Sequence, residues 1–237
     1  MPHSWGTTGL SYDADQLLAR MPDAPLNSWA LVFDAEIAAR FSDCGIAMLD
    51  APGDVVPSAL MYLGRDPGSE SAEDLRDAMA LIARVRPLVR YFHSSQVVDD
   101  LANGEICLAL IWSGSAFLAK RSSAQSNLRY VIPQEGSLLW FEVMAIPADA
   151  KHAENAYTLI DYLLDPRVAA DFTNATFYPS AVASAWAGVD AAIREEPAIY
   201  PSDAVRARLV PVAPETVAYE RQRLRAWNTM KSAQPGN

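Results

Sequence analysis

A tryptophan and a glutamate stand two positions apart in the extended apolar run EGSLLWFEVMAIP, which covers residues 135–147. They are Trp140 and Glu142. Side chains two positions apart on a β-strand point to the same face of the sheet. An indole ring and a carboxylate on one face suit a cationic amine, because the ring packs on methylene groups and the anion pairs with the ammonium. A half-buried strand with an edge Trp and a solvated Glu explains the pattern equally well, so both interpretations stay open.

Further aromatic and acidic residues stand at predicted strand ends or in the loops that follow. Trp112 closes ICLALIW and leads into Ser-Gly-Ser at 113–115, a small-residue turn where a ligand can approach the backbone. Asp54 begins a predicted helix after a strand, and Tyr178 lies in the loop FYPS. Ligands of open α/β sheets bind outside the carboxyl ends of strands. Each residue alone is explained as well by packing or by a helix N-terminal charge, but their coincidence favours a binding site.

Motifs for catalysis, nucleotide binding and metal binding are absent from the sequence. The three histidines, His3, His93 and His152, are scattered and share no frame with a nucleophile. The string WSGSAF lacks the second glycine of a nucleophile elbow. Neither glycine-rich phosphate-binding pattern occurs, and no cysteine or histidine spacing is typical of zinc. The sequence therefore supports no enzyme activity, no catalytic residue, no cofactor and no metal.

Composition restricts the partners of the chain. The 237 residues carry a formal net charge of -10, with 51% hydrophobic and 20% charged residues, which indicates one large globular domain or two small ones. An acidic surface argues against nucleic acid and suits a cationic partner, although many soluble proteins are equally acidic. No apolar run approaches the roughly 20 residues of a membrane-spanning helix. The first residues, MPHSWGTTGLSYDADQ, show no secretory signal pattern.

The hydrophobic periodicity predicts alternating strands and helices. The predicted strands are 4–12, 45–49, 106–112, 128–132 and 139–146. The predicted helices are 35–41, 54–63, 72–89, 95–103, 153–164, 166–174, 182–193, 202–209 and 214–231. This alternation indicates an α/β sandwich built on a largely parallel sheet.

The two cysteines, Cys44 and Cys107, each begin an apolar strand-like run. If the two strands are neighbours, the thiols lie at the same end and a disulfide is geometrically possible, which would imply an oxidising compartment. Two buried free thiols are the alternative, and spacing alone slightly favours them.

Several strings resemble the periplasmic polyamine-binding proteins of bacterial ABC importers, above all the putrescine-binding branch. The strings are WGTTGLSYD, CGIAMLDAPGDV, RYFHSSQVVDDLANGEICLALIWSGSAF, QEGSLLWFEVMAIPADAKHAENAYTLIDYLLDP and AIYPSDAVRARL. They occur in the family's order, from Trp5 to about Lys231. The resemblance implies a type II periplasmic-binding-protein-like α/β clamshell, in which two lobes joined by crossover strands close on the ligand.

The resemblance also implies roles for individual residues. Trp112 and Trp140 would be aromatic walls along the methylene chain of a polyamine. Glu142, where the family usually has Asp, and Asp54, where it usually has Glu, would receive ammonium groups. Tyr178 would be a further residue of the cleft. Each of these two substitutions keeps the negative charge but moves it by one methylene, so together they would change the distance between the two carboxylates.

The same resemblance also has implications for the two cysteines and for Ser115. Cys44 and Cys107 fall where the putrescine-binding branch carries a disulfide, which reverses the preference for free thiols. Ser115 stands where that branch places an Asp, and Ser-Ala-Phe at 115–117 is similar to the spermidine-binding branch. Losing one charge-assisted hydrogen bond costs a short diamine about 1.5–3 kcal/mol. We therefore expect weaker putrescine binding than in that branch and a preference for a longer or differently charged amine.

The family has a signal peptide and most of its first lobe, on the order of 100 residues, before the strand resembling SWGTTG. We therefore expect residues 1–135 and 187–237 to form a complete lobe 2, and 136–186 to be the return segment of lobe 1. The apolar helix at 153–164 should then expose an apolar patch.

The function implied is that of a monomeric periplasmic solute-binding protein that delivers putrescine or spermidine to the permease subunits of an ABC importer. A diamino acid or a guanidino amine would fit the same anions and rings. The alternative is a partial lobe that binds no amine and acts only as an interaction domain.

Overall fold

A computed structural model describes residues 1–123 and 127–232 of the chain. The strands are β1 (Pro2–Asp13), β2 (Ile46–Met48), β3 (Val89–Phe92), β4 (Leu108–Trp112), β5 (Leu128–Val131), β6 (Ser137–Val143) and β7 (Leu209–Pro211). The helices are α1 (Ala14–Arg20), α2 (Ala30–Phe33), α3 (Ala35–Ala39), α4 (Pro52–Tyr62), α5 (Ala72–Val85), α6 (Gln96–Asn103), α7 (Ser113–Ser122), α8 (Ala153–Leu163), α9 (Pro166–Thr176), α10 (Ala191–Arg194), α11 (Asp203–Arg206) and α12 (Val217–Ser232). Residues 124–126 and 233–237 of the predicted lobe 2 lie outside the described residues.

The described strands form one mixed sheet in the order β3-β2-β4-β1-β6-β7, and β5 also pairs with β1. The pairs β2–β3, β2–β4 and β6–β7 are parallel, whereas β1 is antiparallel to β4, β5 and β6. The predicted α/β class is confirmed. The prediction of a largely parallel sheet is wrong, because the strand that holds the sheet together runs against all three of its neighbours.

Strand β1 is the longest strand and joins the two halves of the sheet. Residues from Pro2 to Thr7 pair with β6, whereas those from Thr8 to Tyr12 pair with β4. Its last residues, Leu10 to Asp13, also pair with β5 on the opposite edge. Burial is nearly continuous from Gly6 to Asp13, as expected for a central strand that is covered on both faces.

Apolar side chains from alternate strand positions build a core on each face of the sheet. Met48 and Leu110 belong to the core that includes buried residues of α2, α4 and α5, together with Trp227 of α12. Ala47 and Ile111 belong to the core on the other face, with buried residues of α6, α7 and α9. Among the described residues, no helix is both long enough and apolar enough to cross a membrane.

Several predicted element boundaries differ from the structure. The helix predicted at 72–89 ends at Val85, and a single 3₁₀ turn containing Pro87 leads into β3. Pro87 cannot donate the backbone hydrogen bond that would continue the helix. The helix predicted at 182–193 is divided into a 3₁₀ segment, Ala183–Gly188, and α10. The predicted turn at 113–115 is the first turn of α7.

Helix α8 exposes three large apolar or aromatic side chains, as the predicted apolar patch requires, whereas Ile160 and Leu163 are half-buried. None of its residues, all of which the structure describes, is buried. Tyr157, Leu159 and Tyr162 are 57%, 57% and 61% exposed. Phe141 and Val143 at the end of β6 are also exposed.

A disulfide bond joins Cys44 and Cys107, whose Cα atoms are 5.5 Å apart. Cys44 precedes β2 and Cys107 precedes β4, and these two strands are parallel neighbours. The structure therefore confirms that the two strands are neighbours and that the two sulfur atoms lie at the same end. The bond closes a long loop, with 63 residues of sequence separation.

Removing the disulfide should destabilise the fold without changing its topology. We expect the double variant Cys44→Ser, Cys107→Ser to lose about 2–4 kcal/mol of unfolding free energy, because the open loop restores conformational freedom to the unfolded chain. Urea denaturation followed by circular dichroism measures the difference. An unchanged midpoint in the double variant, relative to the oxidised parent, would contradict the expectation.

Candidate functional site

One face of β1 carries the candidate site, because three alternate residues of the strand lie opposite predicted site residues. The pairs are Ser4 opposite Glu142, Gly6 opposite Trp140, and Thr8 opposite Trp112. Residues directly opposite each other on paired strands project from the same face of the sheet. Trp140 and Glu142 therefore share a face, as the two-residue spacing predicted. We call this arrangement the β1 row.

Asp54 closes one end of the β1 row. The hydroxyl of Thr8 donates a hydrogen bond to Oδ1 of Asp54 at 2.5 Å, and Nε1 of Trp112 donates to the same oxygen at 3.1 Å. Asp54 belongs to the first turn of α4, which begins at Pro52. A proline is well placed there because the first helical residue needs no hydrogen-bond donor. The acidic side chain in the first turn is stabilised by the helix dipole.

The environment of Asp54 disfavours its charge. Burial raises the pKa of this carboxyl above its ordinary value, and this effect exceeds the lowering of the pKa by the hydrogen bonds from Thr8 and Trp112. The positive charge of Arg223 also lowers the pKa. Arg223 is buried on α12, but its guanidinium forms its own ion pair with Glu215 at 2.6 Å. Asp54 is thus a carboxylate whose direct partners are neutral donors.

Glu142 closes the other end of the β1 row. Its Oε2 accepts a hydrogen bond from the hydroxyl of Ser4 at 2.6 Å. Ser4 is fully buried in the sheet, whereas Glu142 is exposed. The buried hydroxyl therefore restrains a carboxylate that is still open to solvent. Its neighbours Phe141 and Val143 project from the opposite face of β6.

Trp140 occupies the middle of the β1 row because Gly6 has no side chain. A Cβ atom at Gly6 would lie 2.5 Å from two carbon atoms of the Trp140 indole. The indole also contacts the ring of Tyr178 edge to face, with centroids 5.3 Å apart. Its buried Nε1 has no hydrogen-bond partner among the described residues. In the register of β1, the indole of Trp140 thus lies between Glu142 at one end and the Thr8–Asp54 pair at the other.

Tyr178 and Ser115 form the side of the site next to α7. The backbone amide of Ser115 donates to the Tyr178 hydroxyl at 3.2 Å, and the two hydroxyls are 3.0 Å apart. Gly114 makes this approach possible, since a Cβ there would lie 2.5 Å from the Tyr178 ring. Burial raises the pKa of Tyr178 above its ordinary value, although the hydrogen bonds with Ser115 lower it, and the negative charges of Glu142 and Asp54 add to the increase.

All six predicted ligand-binding residues are therefore brought to one region of the molecule. The sequence analysis missed Ser4, Gly6 and Thr8, which hold the carboxylates and the indole in place. The string SWGTTG consists of small and hydroxyl-bearing residues apart from Trp5, so only the register shows which of them face the site. No group of three or more potential metal ligands is found within residues 1–123 and 127–232.

Adding one methyl group at Gly6 should displace the indole of Trp140. We expect Gly6→Ala to cost about 1–3 kcal/mol of unfolding free energy, because the Cβ overlaps the ring. Thermal unfolding measures the cost, and the tryptophan emission spectrum reports the displaced ring. Gly68→Ala is the matched control, since a Cβ there meets only Asp66 Oδ1, at 3.4 Å. Equal effects of the two substitutions would contradict the packing argument.

Comparisons with known proteins identify the family of the chain. Residues 1–201 match the family of bacterial extracellular solute-binding proteins. A putrescine/agmatine-binding protein of Pseudomonas aeruginosa is 42% identical over 98% of this chain and 65% of its own length. The putrescine-binding periplasmic protein PotF of Escherichia coli is 41% identical over 98% of this chain and 64% of its own length. The chain thus spans just under two thirds of these relatives.

The fold comparison gives the same result. A putative spermidine/putrescine ABC transporter protein from Listeria monocytogenes superposes with a TM-score of 0.85 at 24% identity, covering 98% of this chain and 68% of that one. This likeness confirms the predicted periplasmic-binding-protein-like fold. The resemblance to polyamine-binding proteins is confirmed by the Pseudomonas and Escherichia relatives. The chain belongs to the bacterial extracellular solute-binding proteins.

Proposed function

We propose that this chain binds a polyamine reversibly and forms part of the solute-binding component of an ABC importer. The observation that carries the proposal is the β1 row, in which the carboxylates of Asp54 and Glu142 stand on one face with the indole of Trp140 between them. A protonated amine would pair with each carboxylate while its methylene groups pack on the ring. Binding of this kind needs no covalent step.

The state of the two carboxylates supports a cationic ligand. Among the described residues, the side chain of Asp54 accepts hydrogen bonds only from two neutral donors, Thr8 and Trp112. Its raised pKa reflects the cost of burying the charge. Glu142 is restrained by a neutral hydroxyl. A buried carboxylate is usually paired with a cation, and an ammonium ion would supply that charge at Asp54. A second ammonium group would pair with the exposed Glu142.

The wider assignment rests on the relatives. Two of them are named as periplasmic putrescine-binding proteins, and others as spermidine/putrescine-binding periplasmic proteins. We infer by analogy a periplasmic location, a monomer, and delivery of the amine to the permease subunits. The disulfide between Cys44 and Cys107 suits an oxidising compartment. The division into lobe 2, residues 1–135 and 187–237, and a return segment, residues 136–186, is part of the same proposal.

A second candidate function is an interaction domain that binds no amine. The exposed apolar side chains of α8 favour it, because monomeric soluble proteins rarely leave a contiguous apolar patch uncovered. Calorimetric titration at low salt with putrescine, cadaverine, spermidine and spermine separates the two functions. Saturable binding that Glu142→Gln weakens supports the amine-binding function. Flat traces from a folded protein would support the second.

An acidic residue at position 115 should strengthen putrescine binding. Ser115 lies in the first turn of α7, where a carboxylate is favoured by the helix dipole and can accept a hydrogen bond from Tyr178. We expect Ser115→Asp to tighten putrescine by about 10- to 100-fold, the value of one charge-assisted hydrogen bond. Calorimetry measures the gain. Ser122→Asp, at the other end of α7, is the control, and equal gains in both variants would indicate a general charge effect.

The raised pKa of Asp54 predicts opposite effects of Asp54→Asn on stability and on binding. A raised pKa means that the stability contribution of the carboxyl is present below its ordinary pKa and is lost as the pH rises through the raised value. The Asn variant should therefore be more heat-stable than the parent at pH 7, with the difference disappearing at low pH, and should bind amines about 10- to 100-fold more weakly. A melting-temperature difference that is independent of pH would contradict this assignment.

The same shift predicts how binding depends on pH. An amine needs the ionised carboxylate, so the affinity of the parent should decline as the pH falls through the raised pKa of Asp54, at a higher pH than an ordinary Asp with a pKa of 3.8. In Asp54→Asn this part of the decline should be absent. Calorimetric titrations of both proteins across the acidic range measure it.

A further inference from the structure

We infer that Phe177 is a positioning residue, whose ring holds Tyr178 in place against Trp140. The inference rests on the proposed function and deepens it. Phe177 is none of the six predicted ligand-binding residues, and it directly precedes Tyr178 at the end of α9. Two observations point to it: an unusual backbone conformation, and a ring that packs on α7, the helix that also carries Ser115.

The backbone of Phe177 adopts the left-handed conformation, with φ 62° and ψ 10°. In the part of the chain that the structure describes, it is the only residue other than glycine with a positive φ. This conformation is unfavourable for a residue with a side chain, since the Cβ atom approaches a carbonyl oxygen of the backbone. The amide of Phe177 donates to the carbonyl of Thr173 at 2.8 Å, where α9 ends. Glycine is the usual residue at such a helix end, so the helix end alone does not account for a phenylalanine.

The ring of Phe177 is anchored on α7. Its centroid lies 5.9 Å from that of Phe117, with the two ring planes inclined by 33°. The guanidinium carbon of Arg121 lies 5.0 Å from the Phe177 centroid. Phe117 is itself buried in the core on this face of the sheet. A ring pair and a cation over a ring face are both favourable, so these contacts oppose any tendency of the backbone to leave the left-handed conformation.

Tyr178 contacts the same helix nearer to its N-terminus. The hydroxyl of Tyr178 lies 3.0 Å from that of Ser115, in the first turn of α7. The backbone that follows joins β1, since the amide of Trp5 donates to the carbonyl of Pro179 at 3.0 Å. The chain thus turns from α9 onto β1 at Phe177, while two consecutive rings stay on α7.

The position of Tyr178 therefore depends on the residue before it. Without the Phe177 ring, the backbone could relax out of the left-handed conformation, and Tyr178 would move relative to Trp140, whose ring centroid lies 5.3 Å from its own. A ligand would then have to immobilise both rings as it binds, and ordering of side chains on binding lowers the affinity.

Fluorine NMR of the full chain, labelled with 5-fluorotryptophan, tests the inference without any ligand. Phe177→Gly removes the ring but suits the backbone, because glycine adopts a positive φ freely. We expect the resonance of Trp140, assigned with the variant Trp140→Phe, to shift or broaden in Phe177→Gly. Phe177→Tyr should keep the parent resonance, because Phe177 also lines a surface cavity of about 290 Å³ that leaves room for a hydroxyl.

Phe92→Ala is the matched control. The Phe92 ring likewise meets one aromatic ring, that of Trp227 with centroids 5.0 Å apart, and one guanidinium, that of Arg86 at 5.5 Å. This variant should move the resonance of Trp227 and leave that of Trp140 unchanged, and the reverse should hold for Phe177→Gly. An unmoved Trp140 resonance in folded Phe177→Gly, or equal shifts of it in both variants, would overturn the inference.

Arg121→Gln keeps the inference testable where Phe177→Gly does not fold. Arg121 is exposed, and the substitution removes only the cation from the Phe177 ring. It should also move the resonance of Trp140 and not that of Trp227. An unchanged Trp140 resonance in this variant, with no folded Phe177→Gly to set against it, would count as failure of the inference.

Calorimetric titration with putrescine and spermidine connects the ring positions to binding. We expect Phe177→Gly to bind about 3- to 10-fold more weakly than the parent, the cost of ordering one further side chain, and Phe92→Ala to bind as the parent does. Unchanged affinity in Phe177→Gly would overturn the role of Phe177 in binding. Absence of binding in the parent would overturn the proposed function, and the Trp140 resonance would still decide whether Phe177 positions the rings.

Discussion

The pairing register of β1 is the constraint on which the rest of the structure depends. Its first half pairs with β6 and its second half with β4 and β5, so a single strand fixes the relative position of segments that lie far apart in the sequence. Since side chains alternate between faces, a slip of one residue would move Ser4, Gly6 and Thr8 to the opposite face. It would thereby separate the carboxylates and the indole from the groups that hold them. The cores on both faces of the sheet oppose such a slip.

Two glycines make room for the aromatic rings beside β1, and a buried carboxyl lies next to those rings. Gly6 and Gly114 leave room for the rings of Trp140 and Tyr178, which could not approach the backbone beside a Cβ. The ring of Trp140 fills the middle of the β1 row, and burial raises the pKa of Asp54. The site thus carries a local cost in the absence of a cation. Such a cost is typical of functional sites, where stability and activity are in opposition.

Parts of this arrangement were predictable from the sequence, because they depend on local spacing. The pair Trp140 and Glu142 follows from the two-residue period of a strand, and most of the long periodic helices lie where they were predicted. The first turn of α7 was not predictable in this way, since Ser-Gly-Ser is equally typical of a turn outside a helix. The roles of Ser4 and Thr8 were also missed. They depend on which strands pair and in which register, and those contacts join residues more than a hundred positions apart in the case of Ser4 and Glu142.

Helix α12 influences the charge of the site, although it lies far from Asp54 in the sequence. Asp50 accepts hydrogen bonds from Trp227 and Lys231, which anchors α12 beside the start of α4. The anchored helix buries Arg223 next to Gly53, close enough for its charge to lower the pKa of Asp54 while its ion pair remains with Glu215. A cation held in this way favours the ionised form of Asp54 without neutralising it by direct contact. The carboxylate therefore keeps its hydrogen-bonding capacity for an incoming ammonium group.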